Sequence, residues 1–507
     1  MKKVIITAFQ LFLCMYYTTN AQNQIGQDID GGINPTEAGI GLAISGNGQI
    51  MAIGTPFERP LNSASNVPPE GQVKVYENIN SSWIQIGQDI NGLPSDVFGS
   101  AIAVSADGDT MVISAVNHFD ATNGSLGAVR VFAFNSNSWQ QIGNDILGED
   151  FDQFGDSVAI SDDGNVVAVG ATFNEGVNGS SSGHVRIFEN INNQWIQIGS
   201  DLDGEAEFDR SGESVALSSD GTIVAIGAGR NEGGITGGGH IRVYENVNST
   251  WFQLGNDIDG VDNQGQLGAS ISLSVNGKIL VAGARNGAGG MPDSGHVRVF
   301  QYDEISTWQQ IGEKISGQQA NENFGISVDI SDDGSLIAIG GSFYDGLAGN
   351  ATGLIQIHQN IGGQWEQLGE NIEGGEDDFL GNFMKLSGDG KFVAGSVFTQ
   401  DSEENSIGLV RVFELPETLS LDHSLDFENK IKAFPNPTHK NITLDFGENI
   451  ETAAISITNI IGQVITNEQF VNNNNTIDLS IDGSPGIYFV NINSSEGFSK
   501  TIKIIKN

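Results

Sequence analysis

Every tryptophan in this chain stands in one motif, W-x-Q-[IL]-G. The six copies, Trp83, Trp139, Trp195, Trp251, Trp308 and Trp365, are spaced by 56, 56, 56, 57 and 57 residues. A fixed period of that length confines the chain to a repeat architecture. Between tryptophans the same pieces recur, shown by the third copy as SVAISDDGNVVAVGA (157–171), a variable Gly-rich loop, GHVRIFEN (183–190) and QWIQIG (194–199). The first piece is two short β-branched runs around a Gly-containing turn, and the others form a second such pair around an Asn-rich turn, so one repeat is four antiparallel strands, A to D. Four strands in a repeat of this size are the signature of a propeller blade. With 68 Gly and only 17% charged residues, the composition suits short strands joined by turns.

The A-B-C set occurs seven times, with A strands near Leu42, Ile102, Val158, Val215, Ile271, Val328 and Met384, whereas the tryptophan motif occurs six times. The seventh copy ends at GLVRVFEL (408–415), and NQIGQDIDG (23–31) at the front matches the missing D strand without its Trp. The expected fold is therefore all-β: a seven-bladed β-propeller over 22–415, closed by an N-terminal strand. Closure of this kind leaves no unpaired sheet edge at the junction.

The ends of the chain read differently. Residues 1–21 combine Lys2 and Lys3, an apolar run and small residues before the expected cut after Ala21, which is a secretory signal peptide. Cys14, the only cysteine, lies inside it, so the exported product has no disulfide, thiolate metal site or cysteine nucleophile. Residues 22–429 carry 14 basic and 56 acidic residues, a charge of −42, while the last 78 residues hold 6 Lys against 7 acids. That shift separates a linker, 416–429, from a small β-sandwich domain, 430–507, with strands such as ITLDF, AAISITNI and IYFVNIN. A formal charge of −41 for the whole chain excludes sequence-independent nucleic-acid binding, and no later apolar run is long enough to span a membrane.

The array resembles the FG-GAP type of propeller repeat, found in integrin α-subunit heads and many bacterial surface proteins. Phe98-Gly99, Phe154-Gly155 and Phe324-Gly325 carry the resemblance, with variants at Leu267-Gly268 and Leu380-Gly381. In that family some repeats hold calcium in an Asp-rich loop between strands A and B; here that junction is only two or three residues long. The tail resembles the C-terminal sorting domain of the type IX secretion system of Bacteroidetes. Its matching motifs are Phe434-Pro435-Asn436-Pro437-Thr438, Gly486-Ile487-Tyr488-Phe489-Val490, and the terminal run from Lys500 through Lys503 to Lys506. The resemblance implies handling by type IX secretion machinery and a destination outside the cell, secreted or attached to the outer-membrane surface.

No HExxH, P-loop or G-x-S-x-G motif is present, so the reading is not an enzyme. His184, His240 and His296 fall 56 residues apart in G-H-[VI]-R and read as one structural position repeated, with blade packing favoured over catalysis. The tryptophans read as inter-blade packing groups rather than sugar platforms. Acidic runs that follow strand D supply Asp201, Asp203, Asp257 and Asp259 as candidate ligands for calcium; the plainer reading is a solvated acidic rim and no cofactor. The variable B-to-C loops share one face of the disc with the D-to-A connections, and loops on a rigid scaffold are where recognition lives. Phe57, Phe119, Phe173, Tyr344 and Phe398 near the starts of those loops are the candidate binding residues. The expected function is a binding or adhesion module for a protein or glycan. Two alternatives are a polysaccharide-acting hydrolase or lyase with acidic residues at the ring mouth, and a structural surface-layer component.

Overall fold

In a computed structural model, the residues described are 23–30, 39–58, 68–120, 124–232, 235–303, 307–400, 406–416, 432–435, 437–445, 452–459, 463–471, 476–494 and 499–506. The signal peptide, most of the linker and Asn436 lie outside them. The chain divides into two compact units, Met1–Pro416 and Glu417–Asn507.

The first unit is a propeller of seven five-stranded antiparallel sheets. The seventh sheet is completed from the front of the chain: Asn23–Gln24 pairs with Phe413 and Glu414, and Ile29–Asp30 pairs with Leu409 and Val410. Ile25 and Ile29 are buried there with Val410, Val412 and Trp83. Each blade interface has its own apolar cluster, such as Val112, Val129, Val131, Phe154, Val167 and Val169 between the second and third blades.

One sequence expectation needs correction. The outer strand does not end at the W-x-Q-[IL]-G glycine; it breaks and resumes, so that Trp195–Gln197 and Leu202–Asp203 both pair with strand C, His184–Asn190. The glutamine of the motif holds the break. Gln197 donates to Asp201 at 2.6 Å and Gln253 to Asp257 at 2.6 Å, as do Gln24, Gln85 and Gln141 to the aspartate four residues on. Asp203 and Asp259 are therefore outer-strand residues, not members of a D-to-A connection.

The tryptophans stitch the blades together, as their spacing suggested. The indole N–H of Trp139, Trp195, Trp251, Trp308 and Trp365 each donates to the backbone carbonyl of the motif's Ile or Leu in the preceding blade, at 2.8–3.3 Å. On the A-to-B face the turns form a closed circle of backbone hydrogen bonds, running from Gly46 through Ala106, Asp162, Ser219, Val275, Asp332 and Gly388, with Asp389 donating back to Gly46. That face is short, uniform and internally satisfied.

The second unit packs a three-stranded sheet and a four-stranded sheet around Ile442, Leu444, Ile455, Ile457, Tyr488, Val490, Ile492 and Ile504. Tyr488 is buried and donates to the Ser484 carbonyl at 2.8 Å; Lys506 donates to the Ile481 and Gly483 carbonyls. Gly486 pairs with Lys506 and Ile492 with Lys500 in the register of the last two strands. Lys503, Pro435 and Pro437 are exposed.

Ring closure sets the first testable outcome. Ile29→Ala, at 4% exposure, destabilises the propeller by about 2–5 kcal/mol. Ile84→Ala, 49% exposed on an outer strand, costs less than about 1 kcal/mol. Urea denaturation midpoints of the two variants check the difference.

Candidate functional site

The D-to-A connections cross to the next blade beside the B-to-C loops. The Phe151 amide donates to the Ser125 carbonyl, and the Gln319 side chain donates to the Asp345 carbonyl, so the two sets of loops form one surface. Two residues before the FG-type glycine's partner, five connections carry an acid: Asp96, Asp152, Asp209, Glu322 and Asp378. All five are buried, at 6% exposure or less, so these acids are not part of a solvated rim. Each carboxylate accepts from a backbone amide three or four residues earlier, as Asp96 does from Leu93 and Asp378 from Gly375, and so caps the connection.

Strand C supplies the counter-charge. Arg130 bonds Asp96 at 2.7 Å and Asp145 at 2.9 Å, and Arg411 bonds Asp378 at 2.9 Å and Asp28 at 3.2 Å. The Arg130 and Arg186 guanidinium groups also lie over the Phe98 and Phe154 rings, at 5.5 and 4.7 Å. These arginines lock connection to blade.

His184, His240 and His296 open strand C and are at most 2% exposed. Their Nδ1 atoms face Asp201 at 3.6 Å, Glu205 at 3.6 Å and Asp262 at 3.4 Å. Burial, opposed by those carboxylates, holds His184 and His296 down at about 4 and His240 below its ordinary value, so all three are neutral at pH 7. None of the three lines the channel cavity.

Of the four candidate metal ligands, Asp257 approaches a mixed set: one ligand atom each from Glu205, His240 and Asp257 lies within 4.8 Å of the others. Calcium prefers six to eight oxygens. Here one donor is an imidazole, the Arg242 guanidinium stands 3.8 Å from Glu205, and the Gln253 amide already occupies Asp257. Asp201 is held by Gln197 in the same way, while the Asp203 and Asp259 carbonyls accept from Arg242 and Arg298. The A-to-B turns do not fit calcium either: the Asp163 carboxylate accepts from the Ser161 hydroxyl and the Asn165 amide, which closes a tight turn and leaves no cage.

The candidate binding aromatics divide. Phe57 and Phe119 are exposed at 44% and 63%. Phe173 lies beneath the Arg210 guanidinium at 4.6 Å, Tyr344 packs on the Val281–Phe324 cluster, and Phe398 meets Phe383 edge-on at 6.2 Å. Two residues that the sequence reading passed over are exposed to a similar or greater degree. Phe151, 71% exposed, and Phe208, 60% exposed, directly precede the buried acids Asp152 and Asp209, with φ of +63° and +68°. Positive φ on a bulky side chain costs about 1–2 kcal/mol, and no burial offsets it here. The one sequence signal is an F-D dipeptide recurring at equivalent places in EDFDQFG and AEFDRSG.

The central channel opens on this same face as a cavity of about 600 Å³. The residue after each FG-type glycine rings the opening: Ser100, Asp156, Glu213, Ala269, Ile326, Asn382 and Ile40. Asp156 is reached by solvent yet surrounded by channel wall, and that desolvation raises its carboxyl above the usual range although the Thr172 hydroxyl donates to it. Desolvation likewise raises Glu213, against Arg285, Arg230 and Arg210.

Comparison with known proteins agrees with both halves of the chain. Residues 148–188 match the FG-GAP repeat, and residues 432–507 match the secretion system C-terminal sorting domain. The propeller thus contains an FG-GAP repeat at 148–188, and the chain ends in a type IX secretion sorting domain. That tail makes it a substrate of the secretion machinery and places it outside the cell, released or attached to the outer-membrane surface. No curated protein matches the chain in sequence. Among solved structures, it is similar to a protein assigned as a 6-phosphogluconolactonase from Bacteroides uniformis (TM-score 0.44, 14% identity, covering 71% of this chain and 94% of that one). It is also similar to the periplasmic gluconolactonase PpgL of Pseudomonas aeruginosa (0.44, 14%, 69% and 97%) and to an acylaminoacyl peptidase of Pyrococcus horikoshii (0.42, 10%, 85% and 58%). Among the described residues, no helix is long and apolar enough to cross a membrane.

The buried imidazoles set a pH dependence. His184, His296 and His358 titrate near 4 in the folded chain and near 6.5 unfolded, so the unfolded state binds more protons between those values and stability falls as pH drops through the window. Asp152 and Asp332, raised to about 6, act in the opposite sense over part of the same range. Asp156, Asp162, Asp203, Glu213 and Glu322 are raised as well, so the histidine contribution is isolated by substitution and not by the net sign. The urea midpoint at pH 7 minus that at pH 5 should be smaller in His296→Gln combined with His358→Gln than in the unmodified chain. An unchanged difference would contradict the assignment.

Proposed function

We propose that this exported propeller is a binding or adhesion module that grips a protein or glycan through its loop face. The observation that carries the reading is the pair Phe151 and Phe208: two aromatic side chains held in left-handed backbone at equivalent junctions and turned to solvent. Strain without compensating burial persists where it serves recognition. Phe119 stands in the loop next to Phe151, and Phe57 and Phe343, at 44% and 49% exposure, continue an apolar crown around the face. The opposite face carries the short A-to-B and C-to-D turns, the latter with exposed aliphatic residues Ile79, Ile191, Val247 and Ile361. The acidic charge of the propeller supports solubility outside the cell and repels nucleic acid and anionic lipid.

A second reading is an extracellular hydrolase or lyase. The carboxyls of Asp156 and Glu213 at the channel mouth, both raised by desolvation, favour it, because an upward-shifted carboxyl is better suited to act as a general acid.

The crown predicts a split between stability and binding. Phe151→Gly and Phe208→Gly relieve the left-handed strain and should each stabilise the protein by about 1 kcal/mol. The same variants should weaken retention of the exported protein on matrix polysaccharides or cell surfaces by tenfold or more, the usual loss for an interface anchor. Retention equal to that of the unmodified chain would remove the crown from the binding surface.

A further inference from the structure

What makes Glu205, His240 and Asp257 unsuited to calcium suits them to a softer ion. One ligand atom from each lies within 4.8 Å of the others, and His240 Nδ1 stands 3.6 Å from Glu205 Oε2. The edge of a tetrahedron of nitrogen and oxygen ligands around zinc is about 3.4 Å. Three chain segments meet at this point. Glu205 stands in the connection that enters the fourth blade, His240 opens strand C of that blade, and Asp257 lies in the break of its outer strand.

His240 is the group that blade packing leaves unaccounted for. It is 2% exposed, yet its ring makes no hydrogen bond among the described residues, and the carboxylate it faces stands beyond hydrogen-bond reach. A polar ring taken out of water without a partner costs free energy. The two carboxylates are each engaged on one side only. Gln253 donates to Asp257 Oδ1 at 2.6 Å, which leaves Oδ2 without a hydrogen bond among the described residues. Arg242 donates to the Asp203 carbonyl at 2.6 Å and lies 3.8 Å from Glu205 Oε1, while Oε2 is the atom turned to His240. Carboxylates steadied at one oxygen by a neighbouring donor are the usual outer shell of a metal site.

Neighbouring blades show that the repeat alone does not produce this set. In the third blade the equivalent residues are Glu149, His184 and Asp201, but there Glu149 Oε2 accepts from the Asn174 amide at 3.2 Å. In the fifth blade His296 is kept, Val261 stands in place of Glu205, and Lys314 puts a cation where Asp257 would be. Among the described residues, only the fourth blade brings all three groups together.

We propose that Glu205, His240 and Asp257 bind one zinc ion, with water in the fourth position. The two carboxylates offset its charge, and the imidazole supplies the nitrogen donor that zinc takes readily and calcium does not. The Glu205 side chain, 45% exposed, leaves the ion an entry from solvent. Once bound, the ion ties the incoming connection to the rim of its blade. The site is separate from the aromatic crown and does not rest on it.

The test is titration of the exported protein, prepared without a histidine tag and freed of metal with EDTA, by zinc and separately by calcium. Calorimetry should show one equivalent of zinc bound at micromolar affinity or tighter, with a saturable rise in melting temperature that calcium does not reproduce. Glu205→Gln and Asp257→Asn each weaken zinc binding at least tenfold, whereas His296→Gln leaves it unchanged. These two carboxylate variants carry the test should His240→Gln fail to fold. Absence of zinc binding, an equal response to calcium, or full zinc affinity in both carboxylate variants would overturn the proposal.

Discussion

The structure depends on how closely two backbones approach between neighbouring blades. The carbonyl of the FG-type glycine lies against a glycine of strand B in the preceding blade: a Cβ on Gly54 would stand 2.0 Å from the Gly99 oxygen. The same contact recurs at Gly170 with Gly212, Gly227 with Gly268, Gly283 with Gly325 and Gly340 with Gly381. At these five interfaces no side chain fits, so backbone alone sets the spacing there, and the bulky Phe98, Phe154 and Phe324 beside the FG-type glycines are fully buried. Between the second and third blades Ser114 stands in place of the strand-B glycine and its hydroxyl accepts from the Ala101 amide of its own blade. Serines three positions after the motif's Phe then bond across the gap, as Ser157 does to the Gly212 carbonyl and Ser214 to the Gly268 carbonyl. Glycine contact, serine bond and tryptophan indole act at three radii of the same interface.

That packing explains why one face is free to vary. The A-to-B turns are locked into their hydrogen-bonded circle at the axis, so lengthening one would break bonds to both neighbours. The D-to-A connections must instead make a sharp crossing before the FG-type glycine. They do so with a left-handed residue ahead of a buried, amide-capping acid, at Ser95, Phe151, Phe208, Asn321 and Asp377. The crossing from the fourth to the fifth blade keeps the left-handed residue, Gln264, but has Gly265 in the acid's place. The left-handed position tolerates small polar residues at lower cost, so a phenylalanine there calls for another explanation, and its solvent exposure points outward to a partner.

Much of this was legible in the sequence because the repeat is long and its pieces separate. The tryptophan period, the seven A strands and the orphan NQIGQDIDG segment together imply the ring and its closure. The outer-strand break was not legible, since a W-x-Q-[IL]-G run followed by Asp and Gly looks like a strand that has ended; only the register shows Asp203 beside His184. The capping acids were hidden by company. Asp209 follows Glu205 and Glu207, and hydropathy cannot distinguish the buried carboxylate from the solvated ones. Phe151 and Phe208 were missed because their significance lies in a backbone angle, which no residue pattern reports.

Charge distribution gives the loop face its chemistry. In most of the propeller a basic side chain is spent on a neighbouring carboxylate: Arg130 on Asp96 and Asp145, Arg411 on Asp28 and Asp378. These pairs sit at strand C, near the rim of each blade, and neutralise the acids that the crossings bury. Arg285 and Lys385 instead line the channel mouth with Asp156 and Glu213, so the opening is charge-balanced within its own lining while the ring around it stays acidic.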